Sequence, residues 1–507
     1  MTLFPKHWYF GLALALGGAM TAPVALADKA DNTVHAALTI EIANLDNYYD
    51  TAGSVTLLSR QIWDALFYIE PETSELVPAL AAGHSYIDDT TLEIDLRKGV
   101  RFHDGRELTA DDVVYTLNWI RNPDNGVRTI TSPKFISEVE RVDDHRIRIR
   151  MTAPTALALR FLSVFPIYPA GTYDELGQAA MNTNPVGTGP FRVAGVEPGR
   201  EYVLERYEDH YADSPKGAAS IDRLVVRIIP EPSTQIAELI SGGIDWIYAF
   251  GADQAENLSM VRNVDVGGVA TSRMMYMVLD AAGRTGPDSP FANILVRQAI
   301  AHAIDRETLV AALVQGDARP LDSFCYPDDF GCPAEVTRYA YDPDRARALL
   351  AEAGYPEGFS TTISAWRDRP IVEAVMGFLG EVGIETDLNY SKLAPLREQW
   401  ETEGLPVVYG SIGSQLSDVG NFVPTFFGLS KRDLARDEQV AEWLRLGNSA
   451  TDPEVRRNYS HMALQRIAEQ AYAVPLFSDN LNFATASGLT VPIDSTGMPH
   501  FYRARWD

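Results

Sequence analysis

The run NPVGTGPFRV, residues 184–193, sets two prolines and two glycines within six positions. Proline fixes φ near about −65° and glycine opens conformations that other side chains avoid. Neither a helix nor a regular strand can pass through such a run, so the chain must make a rigid turn there. A strand-like segment follows from Phe191, and a second one closes in LERYEDHYADSP.

Two further blocks frame this turn. Upstream stands LRKGVRFHDGRELTADDVVYTLNWI, Leu96 to Ile120, and downstream IDRLVVRIIPEPSTQIAELISGGIDWI, Ile221 to Ile247. In this order, the three blocks resemble the family of extracytoplasmic solute-binding proteins, family 5, that serve peptide, nickel and related ABC importers. The resemblance implies an α/β chain with a two-lobed periplasmic-binding-protein type II fold and an extra inserted subdomain in the first lobe. Lobe I would comprise 28–61, 181–290 and 480–507, the insert 62–180, and lobe II 291–479. It also implies a small-molecule or peptide ligand held in the cleft between lobes that close over it. The ABC permease in the inner membrane would be the partner, with no cofactor.

The first 27 residues read as a signal peptide. Lys6 and His7 precede a mostly apolar run from Trp8 to Met20, and Ala25-Leu26-Ala27 has the small-x-small pattern of a cleavage site. That run is too short for a membrane anchor, and a soluble, periplasmic monomer is expected. Formal net charge is −26, and −27 once Lys6 is removed with the leader, which argues against nucleic acid or an anionic membrane as partner. A cationic ligand is one reading of that charge; solubility of the whole surface is the plainer one. With 46% hydrophobic residues the chain can bury large cores.

Cys325 and Cys332 are the two cysteines. In an oxidising compartment a close, even pair bracketing Pro327 and Gly331 reads as a small disulfide pinning one loop, with two unpaired buried thiols as the alternative. Such a short loop would gain on the order of 2–3 kcal/mol. No further ligands lie nearby for a metal.

Periodicity supplies the elements. A strand is expected from Ala37 to Ile42, followed by a helix over SVTLLSRQIWDALFYIEP, broken by Pro71. Thr109 and Asp112 form a capping pair for a helix through Leu117. Asp342-Pro343 starts a helix that Gly354 stops. TTISAW, IVEAVMGFLGEVG and IETDLNY read as strand–helix–strand, which implies parallel pairing, and LPVVYGSI as a further buried strand.

An assembled catalytic set is not found. GSIGS at 410–414 lacks the nucleophile-elbow spacing, and there is no HExxH. His103-Asp104 sits in a turn, the glycines near Gly187 lack a following Lys-Ser/Thr, and Asp111-Asp112 faces a helix start. A secreted hydrolase and a sensing or chaperone role are the alternatives to transport.

Candidate ligand contacts come in three groups. Asn47, Tyr48 and Tyr49 follow the first strand, where family members place contacts; ordinary loop tyrosines are the alternative. Trp366, Arg367 and Arg369 follow TTISAW, and in peptide-binding relatives an arginine of this region holds the ligand carboxylate. A solvated pair with Asp368 is the alternative, and which arginine corresponds stays open. Tyr409, Gln415, Asp418, Asn421 and Phe422 form the third group. Peptide-binding relatives carry an aspartate about seven residues before an Asx-Phe pair, where it anchors the peptide amino group. Here Gln415 occupies that place and Asp418-Val419 stands where Asp-Pro is expected. A neutral glutamine cannot supply the ion pair an ammonium needs in a dry cleft, so a sugar, opine, amine or metal chelate is as open as a peptide.

Overall fold

The computed structural model describes residues 29–42, 44–128, 133–177, 181–182 and 185–507. The signal peptide and Asn184 lie outside the described residues.

Ten strands form one sheet: β1 (Thr33–Leu38), β2 (Phe191–Glu197), β3 (Glu201–Arg206), β4 (Arg223–Ile228), β5 (Trp246–Phe250), β6 (Val264–Leu279), β7 (Phe359–Ala365), β8 (Ile384–Tyr390), β9 (Val407–Gly413) and β10 (Ala473–Ala486). Their order across the sheet is β8-β7-β9-β6-β10-β5-β1-β4-β3-β2. The two longest strands, β6 and β10, run antiparallel along each other in the middle. The first half of β6 lies against the part of β10 that also pairs β5, whereas its second half, from Arg273, pairs β9. Between these halves the register slips, at Ala270/Met274. A slip loosens the ladder and lets a strand bend, so the two halves of the sheet are joined by one kinked antiparallel pair.

Hydrophobic cores sort to either side of that kink. One runs from Val34 to Trp246 and takes in Leu489 to Ala504. Two others are built from residues between Met274 and Phe477. The region expected as an insert shares the first core; its four-stranded antiparallel sheet runs Ala81–Asp88, Thr91–Leu96, Arg146–Met151, Ile136–Asp143. The helix Ala110–Arg121 packs there, with the Asp112 carboxylate accepting the Thr109 N–H at 2.8 Å and its hydroxyl at 3.1 Å.

The strand–helix–strand expectation holds. β7 and β8 pair in parallel around the helix Arg369–Glu381. Asp342 accepts the Arg345 N–H at the start of helix Pro343–Glu352, and Gly354 follows with φ 94°. Two elements differ from expectation. β1 runs Thr33–Leu38 instead of Ala37 to Ile42, because its parallel partner β4 offers only Arg223 to Ile228, and beyond it Ile40 is exposed. The helix expected over 54–71 is α1 (Gly53–Ile62), and Phe67–Ile69 is a strand. Tertiary contacts of the Arg60 and Trp63 carbonyls end it.

Candidate functional site

The proline–glycine turn is packed against the C-terminal end of α1. The Gly189 N–H donates to the Ile62 carbonyl at 2.9 Å, and the Trp63 indole N–H to the Val186 carbonyl at 2.9 Å. A Cβ on Gly187 or Gly189 would overlap the α1 backbone at Ile62. His103 closes the turn from the other side: its Nδ1 accepts the Gly187 N–H at 3.2 Å and its Nε2–H reaches the Gly189 carbonyl at 3.0 Å. Both ring nitrogens are used by the neutral tautomer, and burial pushes the imidazole down to about 4. His103 is therefore a buttress of the turn.

Lys216 finishes α1. Its buried ammonium donates to the Arg60 carbonyl at 2.7 Å and the Trp63 carbonyl at 2.8 Å, and pairs with Asp64 at 2.7 Å. A cation at a helix C-terminus meets orphan carbonyls and the negative end of the dipole. Thr188 donates to the other Asp64 oxygen at 3.1 Å, which ties the turn into the same cluster. Burial alone would raise Asp64, but the Lys216 charge and His210 hold it well below the usual carboxylate range. This cluster explains why the helix stops at Ile62.

A second polar chain starts at Asp494. It accepts from Arg60 at 3.0 Å and from His500 Nε2 at 3.1 Å. His500 Nδ1 lies 2.5 Å from the Tyr502 hydroxyl, which lies 2.7 Å from that of Tyr68. Burial lowers His500, so its ring is neutral. With Nε2 protonated towards Asp494, Nδ1 accepts from Tyr502, and Tyr502 in turn accepts from Tyr68. The Tyr68 proton is thus committed inward. Its oxygen keeps a lone pair for a donor, and burial pushes the phenol up to about 12. An Asp–His pair beside a hydroxyl has the outline of nucleophile activation, but the hydroxyl belongs to fully buried Tyr502.

These segments wall a cavity of about 110 Å³. Its lining takes Asn47, Arg60, Trp63 and Tyr68 from α1 and its surroundings, Ser163, Val164 and Pro166 from the expected insert, Asp494, His500 and Tyr502 from the C-terminal segment, and Gln415 and Ser417 from further along the chain. The last two lie on a strap following β9, and the loop between the cysteines braces it. Cys325 and Cys332 are bonded. Within that loop, Phe330 donates to the Ser417 carbonyl at 2.9 Å and accepts from the Val419 N–H at 3.1 Å.

Of the residues singled out from sequence, Asn47 and Gln415 reach the cavity. Tyr48 is buried, its hydroxyl donating to the Pro166 carbonyl at 2.7 Å, so it holds a lining residue without facing the cavity itself. Tyr49 is half-buried, with its hydroxyl between the Trp119 indole and the Asn125 carbonyl, each at 3.1 Å. Asp418 is fully buried and clasped by Arg456 at 2.9 Å, which leaves no free carboxylate for an ammonium. Phe422 packs in the aromatic cluster around Phe324, and Asn421 lines an outer groove near Asn448. Arg369 is exposed and paired with Glu373, four residues along its helix.

Arg367, Trp366 and Tyr409 form a separate group. Arg367 holds Asp368 at 2.6 Å and Ser411 at 2.9 Å, and the Tyr409 hydroxyl donates to Asp368 at 3.2 Å. Trp366 covers Gly410, where any Cβ would strike the indole. None of the three lines the cavity. Sequence reasoning missed Arg60, Trp63, Tyr68 and the Asp494–Tyr502 segment; the aromatic density of IWDALFYIEP and MPHFYRARW was the available signal.

Residues 75–433 match the family described as bacterial extracellular solute-binding proteins, family 5. The chain belongs to this family. Heme-binding protein A of Haemophilus influenzae is 28% identical over 468 residues, covering 85% of this chain and 83% of that protein. The dipeptide-binding protein of Escherichia coli is 28% identical over 420 residues, with coverage of 75% and 74%. Among solved structures, HbpA2 of Haemophilus parasuis superimposes with a TM-score of 0.84 at 21% identity, covering 94% of this chain and 100% of that one. The two-lobed fold of family 5 is therefore the fold of this chain, and its role is that of a periplasmic solute-binding subunit of an ABC importer.

Proposed function

We propose that the cavity between Trp63, Tyr68, Gln415 and Ser417 is the solute site, and that the two lobes hinge at the kinked β6/β10 pair to close over it. The observation that carries this reading is the double origin of the walls: α1, the C-terminal segment and residues 163–166 supply part of the lining, and the strap after β9, across the β6/β10 pair in the chain's other half, supplies Gln415 and Ser417. A ligand touching both favours the closed arrangement by its differential affinity for it. In this reading the solute leaves chemically unaltered, and the closed shape is what the permease receives. The chain acts as a monomer after its leader is cleaved, and its net charge of −27 without Lys6 leaves nucleic acid no foothold.

The lining also suggests what binds. Arg60 uses one nitrogen on Asp494, and its other guanidinium nitrogens have no hydrogen-bond partner among the described residues. Tyr68 offers an acceptor, and Trp63 an apolar wall. A compact solute with an acceptor for Arg60 and a donor for Tyr68 fits. A peptide amino terminus held by a carboxylate fits less well, since Gln415 stands at the expected anchor and Asp418 is taken. The heme- and dipeptide-binding relatives set the first candidates for a thermal-shift screen, with glutathione, sugars, opines, amines and metal chelates beside them. A binding solute raises the melting temperature by mass action, and Arg60→Met should abolish that rise. A hit whose shift survives both Arg60→Met and Gln415→Ala would place the site elsewhere.

A further inference from the structure

Arg160 belongs to the expected insert, yet its contacts reach the opposite lobe. Its Nη1 donates to the Leu416 carbonyl at 2.6 Å, its Nη2 to the Ser74 carbonyl at 3.1 Å, and its Nε lies 3.6 Å from Asp418. The side chain is 13% exposed. Leu416 lies between Gln415 and Ser417, the two strap residues that face the cavity. Four residues before Arg160, the Ala156 N–H donates to the Asn448 carbonyl at 2.9 Å, so the backbones meet at the same seam.

We infer that Arg160 is an interlobe clamp: a positioning residue that holds the strap, and with it Gln415 and Ser417, over the solute. Three features support this. Arg456 already neutralises Asp418 within its own lobe, at 2.9 Å and 3.1 Å, so the pair survives opening and Arg160 adds a contact made only on closure. The disulfide-bridged loop stiffens the strap from behind through Phe330, so a pull on Leu416 moves the strap as a unit. A guanidinium forks between two carbonyls, one from each side of the seam, as a lysine cannot. Closure then has a favourable term that does not depend on the solute, and the site is completed only when the insert docks.

The clamp rests on the reading that the lobes hinge, and the two are tested separately by one cross-linking experiment. Backbone hydrogen-bonded residues lie within the Cα range of roughly 4.4–6.8 Å that a disulfide requires, and the native cysteines are already bonded to each other. In full-length protein carrying Ala156→Cys and Asn448→Cys, mild oxidant should cross-link the seam without any solute. Adding Arg160→Met should slow that cross-linking about tenfold, the factor that loss of one charge-assisted hydrogen bond produces. Its thermal midpoint should stay close to that of the parent, because the contact is absent from the open form. Equal cross-linking rates would overturn the clamp alone, as would a large fall in the midpoint of Arg160→Met, which would make Arg160 a part of the fold. Failure of the parent pair to cross-link would overturn both the clamp and the hinge.

Discussion

Gly187→Ala should destabilise the protein by about 3 kcal/mol or more, read as a lowered urea midpoint with an unchanged slope. The added methyl would be driven into the Ile62 carbonyl and the Trp63 ring. A flexible side chain could swing aside; a backbone carbonyl that already accepts the Gly189 N–H cannot. The turn is also gripped by His103 and by Thr188 through Asp64, so shifting it breaks several buried hydrogen bonds together. Because α1 ends there and Trp63 lines the cavity, solute binding should weaken along with stability. A Gly187→Ala protein as stable as its parent would show that the turn and the helix are not in register as described.

Lys216→Met should cost about 3–5 kcal/mol, since removing one partner of a buried ion pair strands the other. Asp64 would be left buried without its cation, and the Arg60 and Trp63 carbonyls would lose their donor. Methionine matches much of the lysine stem, so little of the loss comes from packing. The companion Asp64→Asn should recover part of it in a double-mutant cycle, because the stranded charge is then gone. If Lys216→Met unfolds at the parent midpoint, the ion pair does not terminate α1. If the double variant is no better than the single one, the carbonyl contacts outweigh the pair.

Much of the frame was legible because local chemistry specified it. Asp342-Pro343 and Gly354 bound their helix where capping and left-handed geometry require. The two strand-like segments after the turn pair as a hairpin, Phe191–Glu197 with Glu201–Arg206. Where tertiary contacts overrule the local pattern, sequence reading failed. The apolar spacing through Ala65 and Leu66 continues helically, but Lys216, some 150 residues on, captures the carbonyls that would extend the helix. Asp418 looked available because Arg456 and Arg160 approach it from distant parts of the chain. Tyr48 sits beside the expected site, yet the Pro166 carbonyl draws its hydroxyl into the core. The cavity is walled by five separated stretches of chain, Lys216 among them, and no periodicity within any one of them reports that they meet.

Small-angle scattering on the wild-type protein, with and without the solute that raises its melting temperature, together with mass analysis of that solute after release, decides whether the lobes close on an unaltered solute. Compaction on binding and recovery of an unchanged compound is the predicted result. Superimposable profiles at saturating solute, or a released compound of altered mass, would contradict it.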